Sequence, residues 1–514
     1  MKKFSRTEYS LLNMVTGIVG YGVNTVVGFV CRILFVRILS AEYLGISGLF
    51  TNILSMLSLA ELGISSAITF ALYKPIAQED ENKIASIMQF YRKAYIVIGI
   101  IVAIAGMIIF PFLNVIITKK PDIKENINLI YLLFLFNTVI SYFFSYRQSL
   151  LTAMQRQYIV TGYNYISTII QSVLQIIFLV ITKEYLVYLI IQIISGVLYN
   201  IWVSNKAAKD YPYIKNKNAT KLSHNEKWDL FKNIKALAIN KVSGVLVNST
   251  DNIAITYFSG LSSVGFASNY TLFSSTIDKL ITQLFNGLTG SVGNLNASSD
   301  DDTKYQFFKA LNLSNFWLYG WAAIGIAVVS SDLVAWFYGK NYVMKVEIPL
   351  ILALNFYSIG MLHAVYTYKS TLGLFRYGQY LLFFTGIINL ILDVLLGRIW
   401  GIFGIYFATL VARILTNLWY EPYAVFRYGL KKSPLLYLKR YVAFLGILLA
   451  TGGLCYFLCS FCNFSIITNV FVKIIICSII PNGVFYICFR KTKGFLYLHD
   501  SLKRIFIKYM RKTR

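Results

Sequence analysis

Long apolar runs, each about 20 residues and nearly free of charge, recur along the whole chain. IVIGIIVAIAGMIIFPFLNVII at 96–117 is one of them. A run of that length crosses the roughly 30 Å hydrocarbon layer of a bilayer as a helix. A helix satisfies every backbone N–H and C=O within its own segment, as a water-free solvent demands. The runs are too long and too seldom alternating for barrel strands. Only 14% of residues are charged, where soluble domains carry about 25%. Eight prolines in 514 residues leave long helices largely unbroken. The expected fold class is all-α integral membrane.

Hydropathy gives about fourteen spans. They fall at 10–38, 44–72, 94–118, 127–152, 159–182, 185–205, 234–258, 262–294, 311–338, 347–371, 379–397, 401–425, 440–460 and 466–489. The second and eighth carry the most polar residues. Lys2, Lys3 and Arg6 precede a first run too long for the core of a cleavable signal.

The net charge of +26 is placed like a topology signal. With the N-terminus in the cytoplasm, cytoplasmic segments hold roughly 35 of the Lys and Arg residues and external loops roughly eight. The loop 206–233 carries Lys206, Lys209, Lys215, Lys217, Lys221, Lys227 and Lys232, and the tail 490–514 is denser still. One helix more or fewer would put one of these clusters outside, so both termini are expected in the cytoplasm. No nucleic-acid-binding motif frames the basic residues. Attraction to anionic lipid head groups accounts for them, which makes membrane lipids a partner.

The chain repeats itself. FVRILSAEYLGISGLF from Phe35 is echoed by ITYFSGLSSVGFASNY from Ile255, with Gly45 on Gly265 and Phe50 on Tyr270. YRQSLLTAMQRQY from Tyr146 is echoed by YKSTLGLFRYGQY from Tyr368, with Arg147 on Lys369, Leu150 on Leu372, Gln157 on Gln379 and Tyr158 on Tyr380. Two matches in one order at nearly one offset indicate a duplicated six-helix unit. An even helix number per unit makes the repeats parallel, related by an axis along the membrane normal. The expected organisation is an N-terminal lobe at 1–205, a basic cytoplasmic linker at 206–233 and a second lobe at 234–428. Two peripheral helices at 429–489 and a basic cytoplasmic tail at 490–514 follow.

Ionisable residues inside spans are costly and mark candidate sites. They are Arg32, Arg37, Glu61, Lys241, Asp251, Asp278, Lys279, Lys369, Asp393, Arg413 and Lys473. Snorkelling or a buried ion pair accounts best for Arg37, Lys369 and Lys473, near span ends. Lys241, Gly244, Asn248 and Asp251 form one polar stripe at helical spacing, and Asn269, Thr276, Lys279, Gln283, Asn286 and Gly290 form another. Asn13, Gly17, Gly20, Asn24, Gly28 and Cys31 form a third, which close helix packing also explains. Cations and amides lining a water-filled cavity suit a pyrophosphate joined to sugars. Cys455, Cys459 and Cys462 lie one turn apart without His or acid nearby and read as packing residues, not metal ligands. His224, His363 and His499 are far apart in sequence, and no phosphate loop, zinc motif or nucleophile elbow occurs. No catalytic constellation and no cofactor are expected.

Four segments carry a family resemblance. They are EYLGISGLFTNILSMLSLAELGISSAITFALYKPIA from Glu42, YRQSLLTAMQRQYIV from Tyr146, KVSGVLVNSTDNIAITYFSG from Lys241 and WYEPYAVFRYG from Trp419. They resemble Wzx-like polysaccharide flippases of the multidrug/oligosaccharidyl-lipid/polysaccharide (MOP) superfamily. The resemblance covers roughly helices 1–12. It implies a V-shaped transporter of two six-helix lobes plus two peripheral helices, in a bacterial cytoplasmic membrane. It implies movement of an undecaprenyl-pyrophosphate-linked sugar repeat unit to the outer leaflet, for capsule, O-antigen or exopolysaccharide, with a polysaccharide polymerase as a partner. Arg32, Lys241 and Lys279 then fit the pyrophosphate, with Asn24, Asn248 and Gln283 for sugars. Asp251, Glu61 and Asp393 fit H+ or Na+ coupling.

Three other readings compete. A MATE-like multidrug exporter would favour an acid-rich cavity, against the surplus of intramembrane cations. A flippase for teichoic acid precursors or lipid II shares the same lipid phosphate handle. A membrane-embedded polymerase or glycosyltransferase would need a large acceptor loop, and no loop exceeds about 30 residues.

Overall fold

The computed structural model describes residues 6–499 except 59–63, 118–120, 155, 217–221, 224–225, 227, 229–249, 375, 379 and 498. Among the described residues, ten helices are long and apolar enough to cross a membrane. The chain divides into two compact units, Met1–Gly265 and Phe266–Arg514.

The first unit contains α1 (Arg6–Ile38), α2 (Ala41–Leu57), α3 (Ile64–Ala77) and α4 (Glu81–Ile109), then α5 (Ile127–Ala153), α6 (Gln157–Thr182) and α7 (Tyr185–Asp210). A further helical stretch spans 250–259. Within the span expected at 44–72 the described residues form α2 and α3, and residues 59–63 between them, with Glu61, lie outside the described set. The helix expected at 94 begins at Glu81, because the Asp80 side chain accepts from the Lys83 N–H at 2.9 Å and caps it. Its first charged turns escape a hydropathy reading because they precede the apolar run.

Helix α8 (Leu261–Ser298) begins in the first unit and continues into the second. The second unit goes on with α9 (Asp301–Phe337), α10 (Glu347–Gly360), α11 (His363–Thr371) and α12 (Leu381–Leu415). After these come α13 (Asn417–Ala424), α14 (Leu435–Ser460) and α15 (Ile466–Phe489). The span expected at 347–371 is broken between α10 and α11. The Tyr319 ring occupies the place a side chain at Gly360 would take, and Asn315 Nδ2 donates to the Gly360 carbonyl at 2.8 Å. Helix α12 folds back at Gly401, where φ is +58°, between the expected spans 379–397 and 401–425. A Cβ at Gly404 would overlap the Leu396 carbonyl, and Thr385 and Thr416 meet at 2.8 Å across the two arms.

The burial pattern is inverted relative to a protein in water. Helix α6 exposes Ile166, Ile170, Val173, Ile177 and Ile181, and buries Ser167, Ser172 and Gln175. Gln175 Nε2 donates to the Tyr188 carbonyl at 3.1 Å, and Ser167 Oγ to the Ser195 carbonyl at 3.2 Å. Such a surface is stable against lipid tails, and the polar groups join helices where they find partners.

Helix α9 is the hub of the second unit. It packs against α10, α11, α14 and α15. Phe316 at its centre meets Phe444 of α14 at 4.3 Å and Phe485 of α15 at 4.8 Å. Cys455 and Cys459 of α14 and Cys477 of α15 are free thiols buried in the same core. Lys473 of α15 pairs with Asp332 of α9 at 2.7 Å. The two C-terminal helices are thus fastened to α9 by an apolar core and one ion pair.

Candidate functional site

In the first unit, Asn24 and Arg32 lie eight residues apart on α1, so they share a face. Both are half-buried. Arg32 lies near the Tyr188 hydroxyl of α7, which is 3.9 Å from Cys31 Sγ. Asn24 Oδ1 is enclosed and has no hydrogen-bond partner among the described residues. Asp251 is half-buried in the helical stretch 250–259. Gly20 packs against the Tyr165 ring of α6, whereas Gly22 and Gly28 face open space. Packing therefore explains only part of the small-residue stripe on α1. Glu61, Lys241 and Asn248 lie outside the described residues.

In the second unit, α8 has two different faces. Ser275, Lys279 and Gln283, spaced four residues apart, are all exposed. Leu280 and Leu284 flank them, also exposed. On the other face, Ile281 and Phe285 enter the core. Asp278 accepts from the Tyr319 hydroxyl of α9 at 2.9 Å and lies 3.7 Å from His363 Nε2 of α11. Thr282 Oγ1 lies 3.5 Å from the same nitrogen. The Tyr319 ring stacks on His363 at 5.3 Å and 8°.

Sequence reasoning missed this cluster. His363 stands far from any other histidine or acid along the chain. The break after Gly360 turns it toward α8 and α9. The one available signal was the four-residue spacing of Asp278 and Thr282, which places them on one face.

Arg37 is exposed, whereas Asp393, Arg413 and Lys369 have packed environments. Asp393 is fully buried in α12 and accepts from Asn389 Nδ2 at 3.0 Å. Arg413 on the returning arm donates to Asn355 Oδ1 of α10 at 3.2 Å. Lys369 of α11 pairs with Glu421 of α13 at 2.6 Å, and both side chains are largely buried. Arg147, its repeat counterpart, donates to Ser204 Oγ of α7 at 2.8 Å. Each of these two cations is satisfied inside its own unit.

A family model described as polysaccharide biosynthesis protein matches residues 10–290. The chain belongs to this family. The match covers α1 to α7 and most of α8, including Arg32 and the exposed Lys279–Gln283 face. Among solved structures, the chain is similar to the lipid II flippase MurJ in an inward closed conformation. That likeness has a TM-score of 0.61 at 14% identity, and covers 91% of this chain and 98% of the other. It is also similar to a multidrug resistance MATE family transporter of the MOP superfamily in an inward-facing conformation. There the TM-score is 0.57 at 14% identity, covering 79% and 95%. An outward-facing MATE family transporter gives 0.50 at 11% identity, covering 84% and 97%. No curated protein matches by sequence. At such low identities the likeness establishes the fold, which is that of MOP superfamily transporters. The family member described here is a multi-pass, all-helical membrane protein with that fold.

Proposed function

We propose that this chain is a Wzx-like flippase. It moves undecaprenyl-pyrophosphate-linked oligosaccharide repeat units from the inner to the outer leaflet of a bacterial cytoplasmic membrane, for capsule, O-antigen or exopolysaccharide synthesis. The observation that carries the reading is the exposed row Ser275–Lys279–Gln283 on α8, in a chain of the polysaccharide biosynthesis family. An exposed cation at the level of two exposed leucines is unfavourable against lipid, by about 2.5–3.5 kcal/mol on insertion scales. A hydrated substrate path relieves that cost. The ammonium suits a pyrophosphate and the amide and hydroxyl suit sugar hydroxyls.

In this reading Arg32 and Lys241 join Lys279 in holding the pyrophosphate. Asn24, Asn248 and Gln283 contact the sugars. Asp251, Glu61 and Asp393 carry coupling to H+ or Na+. A polymerase consumes the delivered repeat unit at the outer leaflet. The exposed Lys279, with Asp278 beside it turned toward Tyr319 and His363, supports an anionic cargo over the cationic drugs of an exporter. The test is a flippase-deletion strain complemented by Lys279→Gln, with membrane levels of the protein matched. Polymer export should fall and lipid-linked repeat units should build up on the inner leaflet. Export equal to wild type removes Lys279 from the path. Failure of the wild-type chain to restore export in its own strain removes the function.

A further inference from the structure

Three helices of the second unit meet at His363, the first residue of α11. Its Nε2 lies 3.5 Å from Thr282 Oγ1 and 3.7 Å from Asp278 Oδ1, both on α8. The same Asp278 oxygen accepts from the Tyr319 hydroxyl of α9 at 2.9 Å. The Tyr319 and Phe285 rings stack on the imidazole at 5.3 and 6.0 Å. Tyr319 is held in place, because its ring fills the space beside Gly360 and packs on Phe356 at 5.1 Å.

This arrangement serves two charge states of the imidazole. With a neutral ring, Nε2 accepts from the Thr282 hydroxyl, and the Tyr319 hydroxyl keeps Asp278 partnered. With a proton on Nε2, the new donor faces the Asp278 carboxylate. A small approach then turns 3.7 Å into a charge-assisted hydrogen bond. The stacked rings favour the cationic imidazole over the neutral one. Histidine is the side chain whose unperturbed titration falls between about pH 5 and 8. Neither partner is sealed off. The His363 and Asp278 side chains are 21% and 37% exposed, and Asp278 adjoins the exposed Lys279, read above as facing water.

The surrounding charges leave the site to these two residues. Lys279 and the N-terminus of α11 both disfavour a second cation, and Asp278 is the group that offsets them. On α13 the acid Glu421 is held by Lys369, six residues further along α11. Arg413 of α12 is bonded to Asn355, and Arg427 of segment 425–429 is exposed. From α14, the Tyr437 hydroxyl donates to the Met361 carbonyl at 3.5 Å.

We propose that His363 and Asp278 form a proton-binding site that locks α11 to α8. Nε2 takes a proton from water as the lock closes and returns it to water as the lock opens. Helix α8 also carries the Ser275–Lys279–Gln283 row. Proton binding therefore fixes the helix that presents Lys279 to the cargo. This last step rests on the flippase reading; the proton site does not.

The full chain, isotope-labelled at its histidines and purified in detergent, is titrated over about pH 5 to 8 and read by NMR. The sequence holds three histidines, and His363→Gln identifies the His363 signal by its loss. That signal should titrate within the window. Asp278→Asn should weaken its proton affinity about tenfold or more, with the His224 and His499 signals as in wild type. Tyr319→Phe keeps the ring and frees Asp278 Oδ1, so it should raise the affinity about threefold. Glu347→Gln removes an acid elsewhere in the unit and should change nothing. In the deletion strain, wild-type export should differ between about pH 6 and 8. His363→Gln should flatten that profile, whereas Lys279→Gln should lower export at every pH. A His363 signal that does not titrate overturns the proposal, as does one unmoved by both Asp278→Asn and Tyr319→Phe. A titrating His363 with an unaltered export profile in His363→Gln overturns the link to α8. A wild-type chain that exports nothing removes the flippase reading, and the NMR result still decides the proton site.

Discussion

Gly45 and Gly265 make the same contact with each other's helix. Each is the fifth residue of its helix, α2 or α8. A Cβ at Gly45 would overlap the carbonyl oxygen of Leu261, the first residue of α8. A Cβ at Gly265 would overlap the carbonyl oxygen of Ala41, the first residue of α2. This reciprocity is a local two-fold axis, and it falls where the sequence repeat aligns the two glycines. Gly45→Ala or Gly265→Ala must push backbone away from backbone. We expect a loss of about 1–3 kcal/mol or more, read as a lower thermal midpoint in detergent. Gly22→Ala, where nothing lies within 4 Å, should leave the midpoint unchanged. If all three variants melt alike, the crossing is looser than described.

Lys369 and Glu421 should behave as a buried pair. Removing one partner strands the other charge, a loss of about 3–5 kcal/mol. Lys369→Met and Glu421→Leu should each lower stability strongly, and the double variant should regain most of it. A double-mutant cycle in thermal or denaturant unfolding measures the coupling. Additive losses would show that the two charges do not depend on each other.

Lys279→Gln and Gln283→Leu act on an exposed face, so stability should stay within about 0.5 kcal/mol of wild type. Export should fall in both, and further in Lys279→Gln, which loses a charge. Measuring melting and export on the same preparations separates transport from folding. A drop in melting temperature equal to the drop in export would assign these residues to packing instead.

Glu226, in the basic linker, pairs with Lys83 at the start of α4 and also accepts from the Ser223 N–H at 2.9 Å. The Lys83 ammonium, then that N–H, hold its carboxyl below the usual range. A carboxyl lowered in the folded state contributes stability above its unfolded value. That contribution is lost as pH falls through the folded value. Docking of the linker on α4 should therefore be unchanged from pH 8 to about 5 and weaken below about pH 4. Glu226→Gln should loosen it at neutral pH. The pair is largely exposed, so the effect is small and local. Hydrogen exchange over 206–226 reads it; exchange that rises between pH 8 and 6 would contradict the assignment.

Topology follows from the charge bias. A cysteine at Asn218 should be protected from an impermeant thiol reagent in intact cells, and one at Ser262 should be labelled. The opposite pattern would invert the chain.

Much of the architecture was legible in the sequence because crossing a membrane is a local demand. An apolar run of sufficient length meets it alone, so the spans expected at 127–152, 159–182 and 466–489 agree with α5, α6 and α15 within two residues at either end. The reversal at Gly401 was visible as a gap between two runs, and the glycine repeat was visible as a pattern. Interruptions inside an apolar run were not. The break at Gly360 is set by the Tyr319 ring of another helix. The charges show the same division. That Lys369, Lys473 and Asp278 sit within spans could be read from the chain. Their partners Glu421, Asp332 and His363 depend on which face of each helix meets which neighbour. In a bilayer the lipid-facing and protein-facing sides are both apolar, so periodicity does not tell them apart. Only the packed helices decide which polar groups are paired and which, like Lys279, are left exposed.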